Sequence, residues 1–179
     1  MTAYDTAAIA ATLAGLTAPA SNTLQIGDRM QDLAVYLLDE MPGVTVKKQK
    51  SKNFGESEEI DIWFEHQAHL SGLPFSDFSV PVECKNEKKA IGSEDISRLG
   101  TKISNSAGTD GLLIGRKRLS GRAAHKNGHL AVHDELVQRR RIVVITGADI
   151  AKLATTQDLV DLMVDRFTEL RMYGGYHSI

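Results

Sequence analysis

Asp61, Glu83 and Lys85 are the residues of this sequence whose types and spacing most directly suggest chemistry. Asp61 interrupts one apolar run, and Glu83 and Lys85 end a second one. Because side chains alternate along a strand, Glu83 and Lys85 share a face, and pairing of the two strands would bring Asp61 beside them. Strands rarely bury unpaired charges, since their desolvation is expensive. The pattern therefore predicts a site for a hard cation with a lysine next to it.

Magnesium is the cation that such a site favours, because it prefers carboxylate oxygens at about 2.1 Å. We expect Asp61 and Glu83 to be its ligands, the carbonyl oxygen of Cys84 to be a third, and manganese to substitute for it. Magnesium activates water and stabilises negative charge on phosphate oxygens. Lys85 would orient or deprotonate the attacking water and counter the developing charge. The predicted reaction is hydrolysis of a phosphodiester bond.

The elements around these residues predict an α/β fold. Apolar residues recur every three or four positions over 26–41, which indicates an amphipathic helix. Alternation predicts a strand at 44–48, followed by the Asp61 strand, a polar loop at 66–77 and the Glu83 strand. Ser93 is the predicted cap of the next helix. The remaining predictions are strands at 111–115 and 142–145, a largely helical stretch at 119–138 that is interrupted at Asn127-Gly128, and helices at 149–154 and 158–170.

This order predicts how the sheet is built. An antiparallel meander followed by strand–helix crossovers gives a mixed central β-sheet flanked by helices. The domain prediction is an alanine-rich helix and linker at 1–24 and one larger domain at 25–179.

Asp61, followed after twenty-one residues by Glu83-Cys84-Lys85, resembles the signature of the restriction-endonuclease-like superfamily, PD-(D/E)xK. The phrases GDRMQDLAVYLLDEMPGV, EEIDIWF and VPVECKN are similar in order to its Mrr-like and archaeal Holliday-junction-resolvase branches. The resemblance covers roughly 27–145 and implies a restriction-endonuclease-like fold with the site on its central hairpin. It also implies a magnesium-dependent endonuclease that acts on DNA, commonly as a homodimer.

Two positions depart from the superfamily pattern. Ile60 stands where the signature has proline, which is a common relaxation. The first helix of relatives often carries a glutamate that completes the metal site, and Gln31 occupies that position here. An amide oxygen is an uncharged and weaker ligand, so the resemblance implies an auxiliary role for Gln31.

Composition places the chain among ordinary globular proteins. It is 42% hydrophobic and 25% charged, with a net charge of −2 that shows no global attraction to nucleic acid. A single cysteine excludes an intramolecular disulfide, and no run is long enough to cross a membrane. We therefore expect a soluble, cytoplasmic protein without a membrane partner. The short chain also suggests that a partner subunit supplies specificity.

Several alternatives remain open. Asp61, Glu83 and Lys85 could form a buried ion-pair cluster, and the fold could be a catalytically weak or inactive module that binds nucleic acid or a partner protein. Cys84 could be a nucleophile, although its place on the opposite strand face favours a buried small hydrophobe. Glu58 and Glu59 either assist the metal or form a charged loop edge.

The remaining candidates are histidines and basic clusters. His125, His129 and His133 have the spacing of a zinc-binding helix face, for which a solvated or DNA-facing surface is the alternative. The basic clusters at 47–52 and 116–118 flank the expected site and could contact phosphates, whereas ordinary solvated faces would explain them equally.

Overall fold

A five-stranded mixed sheet flanked by helices forms the frame of the molecule. The computed structural model describes residues 1–16, 23–52, 59–121 and 127–176, with the backbone alone at 23–28 and 48–52. The strands are β1 (Val44–Lys52), β2 (Glu59–His66), β3 (Ser79–Lys85), β4 (Asp110–Gly115) and β5 (Arg141–Thr146). The described helices are α1 (Thr6–Gly15), α2 (Thr23–Asp39), α3 (Ala68–Ser71), α4 (Ser93–Asn105), α5 (Gly128–Val137), α6 (Gly147–Ile150) and α7 (Thr156–Tyr173).

The strands lie in chain order across the sheet, which confirms the predicted mixed architecture. β1, β2 and β3 form an antiparallel meander, whereas β3, β4 and β5 run parallel. Parallel neighbours require crossovers, and the segments containing α4 and α5 supply them. Every residue of β4 is buried, as expected for a parallel strand covered on both faces.

β2 has one buried face and one partly open face. Ile60, Ile62 and Phe64 are buried, while Asp61 and Trp63 on the other face remain half-buried. The alternation follows from the period of two along a strand. It leaves the Asp61 side chain on the face that is only partly covered.

The structure confirms the interruption predicted at Asn127-Gly128 and corrects the start of the predicted helical stretch at 119–138. Leu119 forms an isolated parallel bridge with Ile91, and α5 begins only at Gly128. Asn127 has an extended backbone, and its side chain accepts a hydrogen bond from the His129 N–H, because asparagine is a favoured N-cap residue. The segment 122–126, which includes His125, lies outside the described residues.

Three smaller expectations are also corrected. The predicted loop at 66–77 contains α3, and His66 is a buried residue of β2 whose Nε2 lies 3.0 Å from the Asp77 carbonyl oxygen. Gly92, not Ser93, is the N-cap of α4. The helix predicted at 149–154 is the shorter α6, which ends at Ile150.

The amino-terminal segment packs on the rest of the chain. Tyr4, Ile9 and Leu16 are buried, and the Tyr4 hydroxyl donates a hydrogen bond of 2.8 Å to the Leu37 carbonyl oxygen. The predicted linker at 17–22 lies outside the described residues. Within the described ranges, no helix combines the length and the apolar character that crossing a membrane requires.

Candidate active site

Asp61 and Glu83 lie where the β2–β3 ladder ends. The last registered pair is Ile62 with Val82, and Asp61 and Glu83 are the next residue on each strand. The Asp61 Oδ2 accepts a hydrogen bond of 2.7 Å from the Cys84 N–H. This bond to a side chain holds the Asp61 carboxylate against the backbone of β3.

Two lysines contact the buried Glu83 carboxylate, which is 4% exposed. Lys85 Nζ lies 2.7 Å from Oε1, and Lys102 Nζ lies 2.5 Å from Oε2. Lys102 projects from α4 and is itself only 5% exposed. Each oxygen of Glu83 therefore has its own ammonium partner, which offsets the cost of burying the carboxylate.

Asp95, in the first turn of α4, fixes the other side of Lys85. Its Oδ2 accepts a hydrogen bond of 2.9 Å from the Gly92 N–H, and its Oδ1 lies 3.7 Å from Lys85 Nζ. A carboxylate at a helix N-terminus is favoured by the helix dipole. Lys85 is thus held between Glu83 and Asp95, at the end of its own strand.

The electrostatics of Asp61 differ from those of an ordinary surface carboxylate. Burial raises its pKa, and the nearby charge of Glu83 raises it further, against the opposing effects of the Cys84 N–H and the two lysines. Burial also raises the pKa of the Cys84 thiol, which disfavours the thiolate that a nucleophile requires. A bound divalent cation would offset the repulsion from Glu83 that contributes to the raised pKa of Asp61.

The surroundings of Lys85 favour its charged form. Burial alone lowers its pKa, but the charge and hydrogen bond of Glu83, together with Asp95, raise the pKa above the usual lysine value. Lys85 therefore stays protonated near neutral pH and acts as a fixed positive charge.

These residues surround a cavity of about 560 Å³. Both signs of charge are present on its walls, and the exposed Arg98 of α4 contributes a third cationic group. The lining residues are Glu59, Asp61, Glu83, Cys84, Lys85, Arg98 and Lys102. A second cavity of equal volume, between α1 and α2, contains none of the predicted site residues.

Gln31, on α2, contacts the site through the backbone of β2. It is buried, and its Nε2 donates a hydrogen bond of 2.9 Å to the Asp61 carbonyl oxygen. The amide thus binds the backbone of Asp61 and does not line the cavity. This contact positions the β2 strand at the residue that carries the carboxylate.

The cavity offers hard oxygen donors, which the predicted magnesium ion prefers. Among the described residues, no group of three or more histidine, cysteine, aspartate or glutamate side chains could hold a metal. Asp61 and Glu83 supply two carboxylates on one cavity, and Cys84, which also lines it, has a backbone carbonyl group. Hard oxygen donors of this number fit magnesium, which usually keeps several water ligands.

Sequence reasoning missed Lys102 and Arg98, and assigned Asp95 only to a helix terminus. The sequence shows only that positions 95, 98 and 102 fall on one face of α4 at helical spacing. Lys102 is adjacent to the buried Ile103 and three residues after the buried Leu99. A lysine beside an apolar stripe does not by itself indicate a functional site, because its partner, here Glu83 on β3, is known only from the structure.

The structure does not support the predicted zinc site on one helix face, because α5 begins at Gly128. His129 and His133 lie on α5, but the extended Asn127 separates them from His125, so the three do not share one helix. His133 Nδ1 lies 2.9 Å from the Gly174 carbonyl oxygen.

The predicted basic clusters are only partly described. Lys47 pairs with Glu65 at 3.1 Å, and Arg116 donates a hydrogen bond of 2.9 Å to the Leu16 carbonyl oxygen. Neither residue lines the cavity. Glu58 and the side chains of Lys48, Lys50 and Lys52 lie outside the described residues.

Comparison with known proteins adds no assignment. No protein-family model matches the chain, and no curated protein matches it significantly. The residues of the cavity are therefore the basis for a functional proposal.

Proposed function

We propose that this protein is a divalent-metal-dependent nuclease that hydrolyses phosphodiester bonds of DNA. The observation that supports the proposal most is the convergence of Asp61, Glu83 and Lys85 on one cavity. Burial and the nearby charge of Glu83 raise the pKa of Asp61, and a carboxyl group perturbed in this way beside a cavity is characteristic of a functional site. The restriction-endonuclease-like fold belongs to the same proposal, supported by the meander and the parallel strands that follow it.

The metal would be held by Asp61, Glu83 and the Cys84 carbonyl oxygen. When bound, magnesium or manganese supplies a water of lowered pKa and stabilises charge on the phosphate. Asp61 is kept in place by the Cys84 N–H and by the bond between Gln31 and its carbonyl group. These contacts reduce the freedom that the carboxylate would lose on binding a cation.

Lys85 provides fixed positive charge beside the reacting phosphate. Its raised pKa favours electrostatic stabilisation over proton abstraction, because a protonated lysine cannot act as a base. Arg98 is exposed on the same cavity wall and would contact a neighbouring phosphate of the DNA backbone. DNA is the proposed substrate because these cations provide local attraction that the net charge of −2 does not.

A second candidate function is a non-catalytic module that binds nucleic acid or a partner protein. It is favoured by one observation, the contact of both Glu83 oxygens with lysines. In that case Glu83 would serve mainly to hold two cations for a polyanion.

Cleavage assays test the proposal. Supercoiled plasmid, branched junctions and single strands are incubated with magnesium or manganese and the wild type, Asp61→Ala or Lys85→Ala. We expect wild-type cleavage and a loss of at least about 100-fold in both variants, because each removes charge stabilisation of the transition state. Lys152→Ala, at an exposed position outside the cavity, is the matched control and should retain activity.

The opposite outcome is equally clear. A folded wild type that cleaves no substrate with either metal would reject the nuclease and favour the binding module. Circular dichroism of each variant establishes that lost activity is not lost folding.

A further inference from the structure

Lys102 is a buried cation to which the proposed reaction assigns no role. It reaches from α4 to the end of β3, and its ammonium group contacts Glu83 at 2.5 Å. Burying such a pair rarely stabilises a fold more than apolar side chains of similar size would. Its position on a wall of the charged cavity gives it access to whatever binds there.

The geometry makes Lys102 a competitor for the metal. A divalent cation bound by Glu83 needs a carboxylate oxygen, and Lys85 and Lys102 each contact one. Lys85 also lies near Asp95, whereas within the described residues Glu83 is the carboxylate that pairs with Lys102. Oε2 is therefore the oxygen that can be given up by moving one side chain.

A displaced Lys102 remains inside the cavity. Its four-carbon chain is flexible, and its ammonium group needs a new anionic partner once Glu83 binds a metal. A phosphate oxygen of the substrate is an anion of suitable size and charge in the same space.

We propose that Lys102 is an exchange residue, which pairs with Glu83 until a divalent cation takes Oε2 and then binds a substrate phosphate. The inference rests on the proposed nuclease function and adds a specific link between metal binding and DNA binding. Removing Lys102 should therefore change the two affinities in opposite directions.

The first experiment measures Mn²⁺ affinity by calorimetry without nucleic acid. Lys102→Met should bind Mn²⁺ about tenfold more tightly, since a charge-assisted hydrogen bond no longer competes for Glu83. Arg98→Met is the matched control, because it removes the same charge from the same wall without touching Glu83. If Arg98→Met increases the Mn²⁺ affinity as much as Lys102→Met does, the increase comes from the general loss of positive charge. That result would overturn the proposal that Lys102 exchanges with the metal.

The second experiment measures binding of a short DNA duplex in Ca²⁺, which is used in place of magnesium to limit cleavage. Lys102→Met should bind DNA more weakly, with a salt dependence smaller by about one counterion. A purely structural role for Lys102 predicts no gain in Mn²⁺ affinity, and unchanged DNA affinity would reject the phosphate contact.

Folding and the failure of the proposed function are controlled separately. Lys102→Gln keeps a hydrogen-bond donor for Glu83 if Lys102→Met does not fold, and wild-type protein with ¹³C-labelled lysine should show a shift of the Lys102 signal on adding Mg²⁺. Wild-type cleavage without tighter Mn²⁺ binding in the Lys102 variants rejects the exchange alone. A wild type that neither binds Mn²⁺ nor cleaves DNA rejects both proposals.

Discussion

Two clusters of opposite charges lie near opposite ends of the parallel strands. The site cluster consists of Asp61, Glu83, Lys85, Asp95 and Lys102 near the carboxyl end of β3. The closed cluster consists of Asp77, Asp110 and Arg141, near the amino ends of β4 and β5. Both combine acidic and basic side chains, and both include an aspartate whose pKa is raised by burial. The two aspartates differ in the next-largest influence on the pKa, which raises the pKa of Asp61 and lowers that of Asp110.

In the closed cluster, the three largest influences on the pKa of Asp110 after burial lower it, and repulsion from Asp77, which raises it, is the smallest. Asp110 is fully buried, and Arg141 binds both of its oxygens at 2.7 and 2.8 Å. Backbone N–H groups of Ser76 and Asp77 donate to it as well. The strongest opposing effect on the pKa of Asp110 is the hydrogen bond from Asp77. This cluster connects the β3 side of the sheet to β5 and borders no described cavity.

In the site cluster, like charges are brought together and left beside a cavity. After burial, the largest influence on Asp61 is repulsion from Glu83. Stability alone does not favour such an arrangement, whereas a bound cation does. The two clusters therefore differ in the largest influence after burial, which lowers the pKa of Asp110 in the closed cluster and raises the pKa of Asp61 in the site cluster.

The largest expected effect is in the closed cluster. Asp110→Ala leaves Arg141 and two backbone N–H groups without their acceptor, which should cost about 3–5 kcal/mol of unfolding free energy. Chemical denaturation measures it, with the exposed Asp134→Ala as a control expected within about 0.5 kcal/mol of wild type. A loss no greater than the control's would show that the closed cluster does not stabilise the fold.

A smaller effect of opposite sign is expected in the site cluster. Asp61→Asn should raise the unfolding free energy at pH 7, without divalent cations, by about 0.5–2 kcal/mol, the usual range for single stabilising substitutions. The amide still accepts the Cys84 N–H and no longer repels Glu83. If Asp61→Asn destabilises the protein, Asp61 is a structural partner like Asp110, and the contrast between the clusters disappears.

The smallest effect is the pH dependence of that gain. Because the folded-state pKa of Asp61 is raised above 3.8, the folded protein binds this proton more tightly than the unfolded chain. The contribution of Asp61 to the free energy of unfolding is therefore fully present below pH 3.8. It is lost as the pH rises from 3.8 through the higher folded-state pKa. The advantage of Asp61→Asn should shrink as pH falls toward 3.8, measured as paired thermal unfolding curves. If the stability difference between Asp61→Asn and the wild type does not change with pH, ionisation of Asp61 is not its cause.

The sequence by itself determined the local structure around the site. Period-two alternation placed Asp61 on one strand and Glu83 and Lys85 on the next, and apolar runs marked β4 and β5. These features depend on side-chain periods and on burial, which are written in neighbouring residues. The mixed sheet followed from the order of the elements.

Only the tertiary structure decided which charges meet. The contact of Lys102 with Glu83 joins residues nineteen positions apart on different elements, and Arg141 binds Asp110 across thirty-one. No local period distinguishes these lysine and arginine residues from solvated ones, because their partners are selected by the packing of helices on the sheet.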